Sequence, residues 1–89
     1  MIQREIEIIN KLGLHARAAA KFVTLASSFE SEVQLELNGN LVNGKSIMGV
    51  MMLAAAQGTQ LVITVEGPDE HEATEKLCEL IANRFDEES

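Results

Sequence analysis

The chain has 89 residues, 46% of them apolar, and a formal net charge of −7. That length suits one small domain over residues 1–89 with a core of its own, and is too short for two domains. The acidic balance, with three Phe and no Tyr or Trp, excludes a nucleic-acid binder, which needs a basic footprint and stacking side chains.

The first ten residues, Met1 to Asn10, have no cationic start followed by a long apolar run, so no signal peptide is expected. No stretch approaches the roughly 20 apolar residues that span a bilayer, so no membrane insertion is expected. Over residues 2–9, Ile2, Ile6 and Ile8 alternate with Gln3, Glu5 and Glu7, which predicts a half-buried strand. Asn10 to Leu14 shows no period and reads as a loop. From Ala16 to about Ser27 an alanine-rich run places Ala19, Phe22, Val23 and Ala26 at helical spacing. Residues 32–38 alternate again, with Val33, Leu35 and Leu37 on one side. Asn38-Gly39 then predicts a type I′ hairpin, whose two central residues need positive φ, and Leu41-Val42 begins the returning strand.

Gly44-Lys45-Ser46 leads into a short apolar helix from Ile47 to Leu53, followed by a turn at Gln57-Gly58-Thr59. Residues 60–66 form a strand with Leu61, Ile63 and Val65 on one face. Gly67-Pro68 breaks the chain, and Asp69 is placed to cap the last helix, with Glu72 completing a capping box. That helix carries Ala73, Leu77, Leu80, Ile81 and Phe85 on one side and acids on the other. Its Cys78, the one cysteine, cannot pair within the chain. It reads as a core or boundary residue and fits a reducing compartment such as the cytoplasm. His71 falls on the acidic side, too isolated for a metal site. The order β-α-β-β-α-β-α predicts an α+β fold. Its economical form is an open-faced sandwich, a four-stranded antiparallel sheet with three helices on one face.

The charge is unevenly spread. Residues 66–89 hold nine of the fourteen acids, while residues 8–29 and 37–65 hold none. Either this is chance in a short chain or the acid-free segments face something anionic.

His15 lies inside the first of these segments, where loop becomes helix. A helix start exposes N–H groups with no internal partner, here those of Ala16 and Arg17, and they bind phosphate well. Gly13 lets the loop turn sharply, and the Arg17 guanidinium can grip phosphate oxygens. A neutral imidazole is a good nucleophile toward phosphorus. The ring nitrogen nearer the backbone is the better placed for those N–H groups. A lone histidine at a helix start is more commonly a cap or a surface residue, and on these residues alone both readings stay open. There is no triad partner, metal cluster or Walker loop, so no cofactor is expected.

Gly13-Leu14-His15-Ala16-Arg17-Ala18-Ala19 resembles the active-site signature of the HPr family, the histidine-containing phosphocarriers of the bacterial phosphotransferase system. Gly44-Lys45-Ser46-Ile47-Met48-Gly49-Val50-Met51 resembles the regulatory serine segment of the same family. Both motifs, their spacing and the element order agree over essentially the whole chain. The resemblance implies a phosphoryl carrier rather than an enzyme. His15 would accept phosphate from phosphorylated enzyme I and donate it to enzyme II A domains, with Arg17 as phosphate partner. Ser46 would match the serine modified by HPr kinase/phosphorylase. Ala18 departs from the pattern, which usually has proline there. Proline early in a helix forfeits only an orphan donor, so the change removes no group that touches phosphate.

Ser46 is also a favoured N-cap, which alone would explain it. The helix after it has more apolar side chains than one buried face requires. Half of Ile47, Met48, Met51 and Met52 are expected in the core, leaving Ile47 and Met48 exposed. Together with Leu14, Arg17, Lys21 and Lys45 they are expected to form one docking face. The absence of a large apolar patch suggests a monomer. Other readings are a nitrogen-branch phosphocarrier, a regulatory binding module acting through Ser46 without carrying phosphate, and a small-ligand sensing domain. The last leaves His15, Arg17 and Ser46 unexplained.

Overall fold

Alternation in the strands and helical spacing between them produce seven elements in the computed structural model, which describes residues 1–88. They are β1 (Ile2–Glu7), α1 (Ala16–Ser27), β2 (Glu32–Leu37), β3 (Asn40–Asn43), α2 (Ile47–Met52), β4 (Gln60–Glu66) and α3 (Glu70–Ala82). All strand pairs are antiparallel and the sheet order is β1-β4-β2-β3. The two central strands put Val33 opposite Val65 and Leu35 opposite Ile63. These four are buried with Leu61, and their neighbours along each strand are more exposed. The period of two thus becomes one face under helices and one face under water. Phe22, Ala26, Leu77 and Ile81 complete the core from α1 and α3. Cys78 is half-buried at the edge of this core, and burial pushes its thiol up against the opposing charge of Arg4. The hairpin has the expected geometry, with φ of 52° at Asn38 and 85° at Gly39.

Four local expectations are corrected. β1 ends at Glu7 rather than residue 9, because Ile8 hydrogen-bonds the turn before β4: its N–H donates to Thr59 at 2.9 Å and its carbonyl accepts from Gly58 at 2.7 Å. α2 ends at Met52, and Leu53 is its C-cap. Asp69 occupies the cap position of α3 but makes no capping bond. Its carboxylate instead accepts from the N–H of Glu30 at 3.0 Å and from the N–H of Ser31 at 2.9 Å, as well as from the Ser31 hydroxyl. The reciprocal bond of the box shifts forward, with Gly67 N–H donating to the Glu70 carboxylate at 3.1 Å. Phe85 is fully buried as expected, but not on α3, which stops at Ala82. Arg84, Phe85 and Asp86 follow in a left-handed turn, φ 57°, 53° and 63°, that folds the tail back over the start of α1.

α1 and α2 run antiparallel. The Leu14 N–H, before α1, donates to Ala55 beyond α2 at 2.8 Å. At the other end the Lys45 ammonium, before α2, donates to the carbonyl of Phe29 beyond α1 at 2.7 Å. This orientation decides which residues can share a site.

Candidate functional site

His15 is the N-cap residue of α1, with φ −74° and ψ 179°, and its side chain makes no capping bond. Its carbonyl accepts the Ala19 N–H at 2.9 Å, the first bond of the helix. Among the described residues the N–H groups of Ala16, Arg17 and Ala18 have no backbone acceptor. Three free donors at the positive end of a helix therefore follow directly on His15, an arrangement that favours anions. Ala18 is fully buried, and the donor a proline would forfeit there makes no backbone hydrogen bond.

The loop before His15 is held from two sides. Gly13 has φ +69°, and a Cβ on it would lie 2.4 Å from the Ala55 carbonyl oxygen, so only glycine fits. The Asn10 side chain is fully buried, and its Nδ2 donates to the Gly13 carbonyl at 2.9 Å. Leu14, expected on the docking face, points inward with 6% of its surface exposed. It anchors the loop to the core, and the period-free segment gave no sign of this. The His15 ring is left 27% exposed.

The sequence reading missed Glu87. The returning tail brings its carboxylate to the His15 ring, Oε2 2.5 Å from Nε2, and the other oxygen accepts from Asn10 Nδ2 at 3.0 Å. Partial burial pushes the Glu87 carboxyl up, but hydrogen bonds from Asn10 and His15 and the charges of His15 and Arg17 outweigh it. The carboxyl is held below its ordinary value. The acid-free segment does face an anion, and one such anion belongs to the chain itself. The only signal in the sequence was an acidic tail after an apolar Phe85, too weak to place a contact.

Arg17 is exposed and borders a cleft with Lys21, Asp86 and Glu87, the last of which also meets the His15 ring. Lys21 donates to the Phe85 carbonyl at 2.8 Å, so it pins the tail as well as adding charge. Lys45 does not join His15. It lies at the far end of α1, whose twelve residues rise about 18 Å. Ser46 is the N-cap of α2, its hydroxyl accepting the Gly49 N–H at 3.1 Å. Ile47, Met48, Met51 and Met52 are all exposed, with only Val50 of this helix buried. None of the four fills the core, so α2 carries an apolar strip running from Ser46 toward the His15 end of α1. The expectation of a monomer rested on the absence of such a patch. Among the described residues no helix is long and apolar enough to cross a membrane.

A family model described as "PTS HPr component phosphorylation site" matches residues 2–83. The phosphocarrier protein HPr of Cupriavidus necator is 58% identical over 87 residues, 98% of each chain. The crystal structure of HPr-C-His from Thermoanaerobacter tengcongensis superposes with a TM-score of 0.96 at 48% identity, covering all of both chains. A crystal structure of an HPr dimer from the same organism matches with a TM-score of 0.79 at 48% identity, covering 98% of this chain and 100% of that one.

Proposed function

The chain belongs to the HPr family of phosphocarrier proteins of the phosphotransferase system, and on that premise we propose that His15 carries the phosphoryl group. It takes the group from phosphorylated enzyme I and hands it to enzyme II A domains, working in the cytoplasm. The observation that carries this reading is the set of unpartnered N–H groups at Ala16, Arg17 and Ala18 beside a partly exposed imidazole. These donors lie ready before any phosphate arrives, so little reorganisation opposes transfer. Arg17 adds a permanent positive charge that follows the phosphoryl oxygens. The protein is consumed and regenerated, a substrate of its neighbours rather than a catalyst.

Docking is assigned to the α2 strip of Ile47, Met48, Met51 and Met52 with Arg17 and Lys21. Flexible apolar side chains suit a surface that meets several partners briefly. Ser46 sits at one end of that strip. Phosphate on it, added by HPr kinase/phosphorylase, would meet the free N–H groups of α2 and place about −1.5 to −2 charges beside the docking surface. The same modification therefore leaves the helix folded and repels acidic partners.

Intact mass after mixing with enzyme I, phosphoenolpyruvate and magnesium tests both parts. One acid-labile phosphoryl group is expected on the native chain and none on His15→Ala. Ser46→Asp is expected to accept the group more slowly while melting at the same temperature. Phosphorylation of His15→Ala to the native extent would refute the carrier role of His15, and an unchanged rate in Ser46→Asp would refute the repulsion.

A further inference from the structure

Among the described residues five besides glycine have positive φ, and the hairpin and the returning tail account for four of them. The fifth is Ala54, φ 51°, the first residue beyond the C-cap of α2. Helices commonly end on a left-handed residue there, but it is normally glycine or asparagine, because a Cβ crowds the following carbonyl. Ala54 is exposed, so burial of its methyl does not offset the strain. What the strained turn serves is the loop that carries His15. The Ala54 N–H closes the end of α2 on the Met51 carbonyl at 3.0 Å. Ala55, the next residue, is buried and turns its carbonyl to the Leu14 N–H at 2.8 Å. Further on, Gln57 Nε2 donates to the Ile9 carbonyl at 3.2 Å and the Gly58 N–H to the Ile8 carbonyl at 2.7 Å. Residues 55–58 thus run along residues 8–14, bonded at both ends.

Strained backbone persists where its surroundings over-determine it, and it clusters where geometry is put to use. A right-handed residue at position 54 would prolong α2 and carry the Ala55 carbonyl away from Leu14. Resting on the carrier role of His15, we propose that Ala54 is a positioning residue for phosphoryl transfer. Its left-handed turn delivers the Ala55 carbonyl to Leu14, the residue before His15. That bond fixes the direction in which His15 and the free N–H groups of Ala16, Arg17 and Ala18 are presented. It also joins the end of α2 to the His15 loop, so a partner seated on the exposed Met51 and Met52 meets His15 at a set place.

The test pairs hydrogen exchange at the Leu14 amide with rapid-quench phosphoryl uptake over a range of phosphorylated enzyme I concentrations. It uses the native chain, Ala54→Gly, Ala54→Asn and Ala54→Val. A synthetic chain with an ester in place of the Leu14 amide lacks the N–H whatever residue 54 does. Glycine and asparagine tolerate positive φ, so Ala54→Gly and Ala54→Asn are expected to keep slow Leu14 exchange and the native maximal rate. A β-branched residue resists it, so Leu14 exchange should quicken in Ala54→Val. Its maximal rate should fall about tenfold, the scale of one hydrogen bond, as in the ester chain, with the half-saturating concentration unchanged. Ala54→Asn as slow as Ala54→Val, or a change confined to the half-saturating concentration, would make residue 54 a docking contact and overturn the assignment. A native maximal rate in Ala54→Val or in the ester chain would also overturn it, reducing the turn to a structural role. If the native chain accepted no phosphate, the carrier reading would fall, and Leu14 exchange across the variants would still decide whether residue 54 holds the loop.

Discussion

Gly13, Asn10 and Glu87 each act on His15 through a single atom or a single torsion. Gly13 supplies a backbone angle and a close approach that no other residue tolerates. Asn10 links the loop to the tail. Glu87 ties its grip to pH. Its folded carboxyl lies below the ordinary 4.5, so the tail contact contributes fully above that value and is lost as pH falls through the depressed one. Asp69 obeys the same sign, its carboxyl lowered by the Ser31 hydroxyl and the Glu30 N–H. Backbone amides of Asp86 and Glu87 are therefore expected to exchange slowly above about pH 5 and increasingly fast, relative to the intrinsic rate, toward pH 3. Hydrogen exchange followed across that range checks this, and protection that persists at pH 3 would contradict it.

The elements show where local preference was overruled. α3 carries its apolar stripe as expected, but the last member of the stripe leaves the helix to reach the core. Left-handed backbone is unfavourable for non-glycine residues. Burying a whole Phe side chain returns about 1.5–3 kcal/mol, with further help from the Lys21 and Glu87 contacts. Phe85→Ala should then cost about 3 kcal/mol, at the lower end for buried aromatics because it also lets the turn relax. It should also expose the tail. Urea unfolding gives the first value and proteolysis at the C-terminal segment the second. A variant that unfolds at the native urea midpoint would show that the turn does not depend on Phe85.

At the scale of the whole molecule the antiparallel course of α1 and α2 is decisive. It sets His15 at one end of the apolar strip on α2 and Ser46 at the other, so the docking surface proposed above would serve both transfer and regulation. Acids crowd the remainder, with five of them, Glu5, Glu7, Glu32, Glu36 and Glu66, at solvent-facing positions of the sheet. On the proposed docking surface, a partner with acidic contacts would be repelled there and met by the strip instead. Met48 is 75% exposed and lies outside the buried core, so Met48→Glu should leave the melting temperature within about 2 °C. It should slow transfer from enzyme I several-fold, and more so at low salt. Stopped-flow transfer rates at two ionic strengths test this, and an unaffected rate would move the docking surface elsewhere.

Periodicity, turn residues and the two motifs determined by themselves the order of the elements, the hairpin, the buried faces of β2 and β4, and the candidacy of His15, Arg17 and Ser46. These features are local, because each follows from neighbours within a few residues. Leu14 turning inward, Asp69 leaving its helix to clamp residues 30 and 31, Lys45 tied at the far end of α1 and Glu87 arriving at His15 are all contacts between distant parts of the chain. Only the packed structure decides these. A polar side chain with several possible partners chooses among groups that folding has brought together, and spacing along the chain carries no record of that choice.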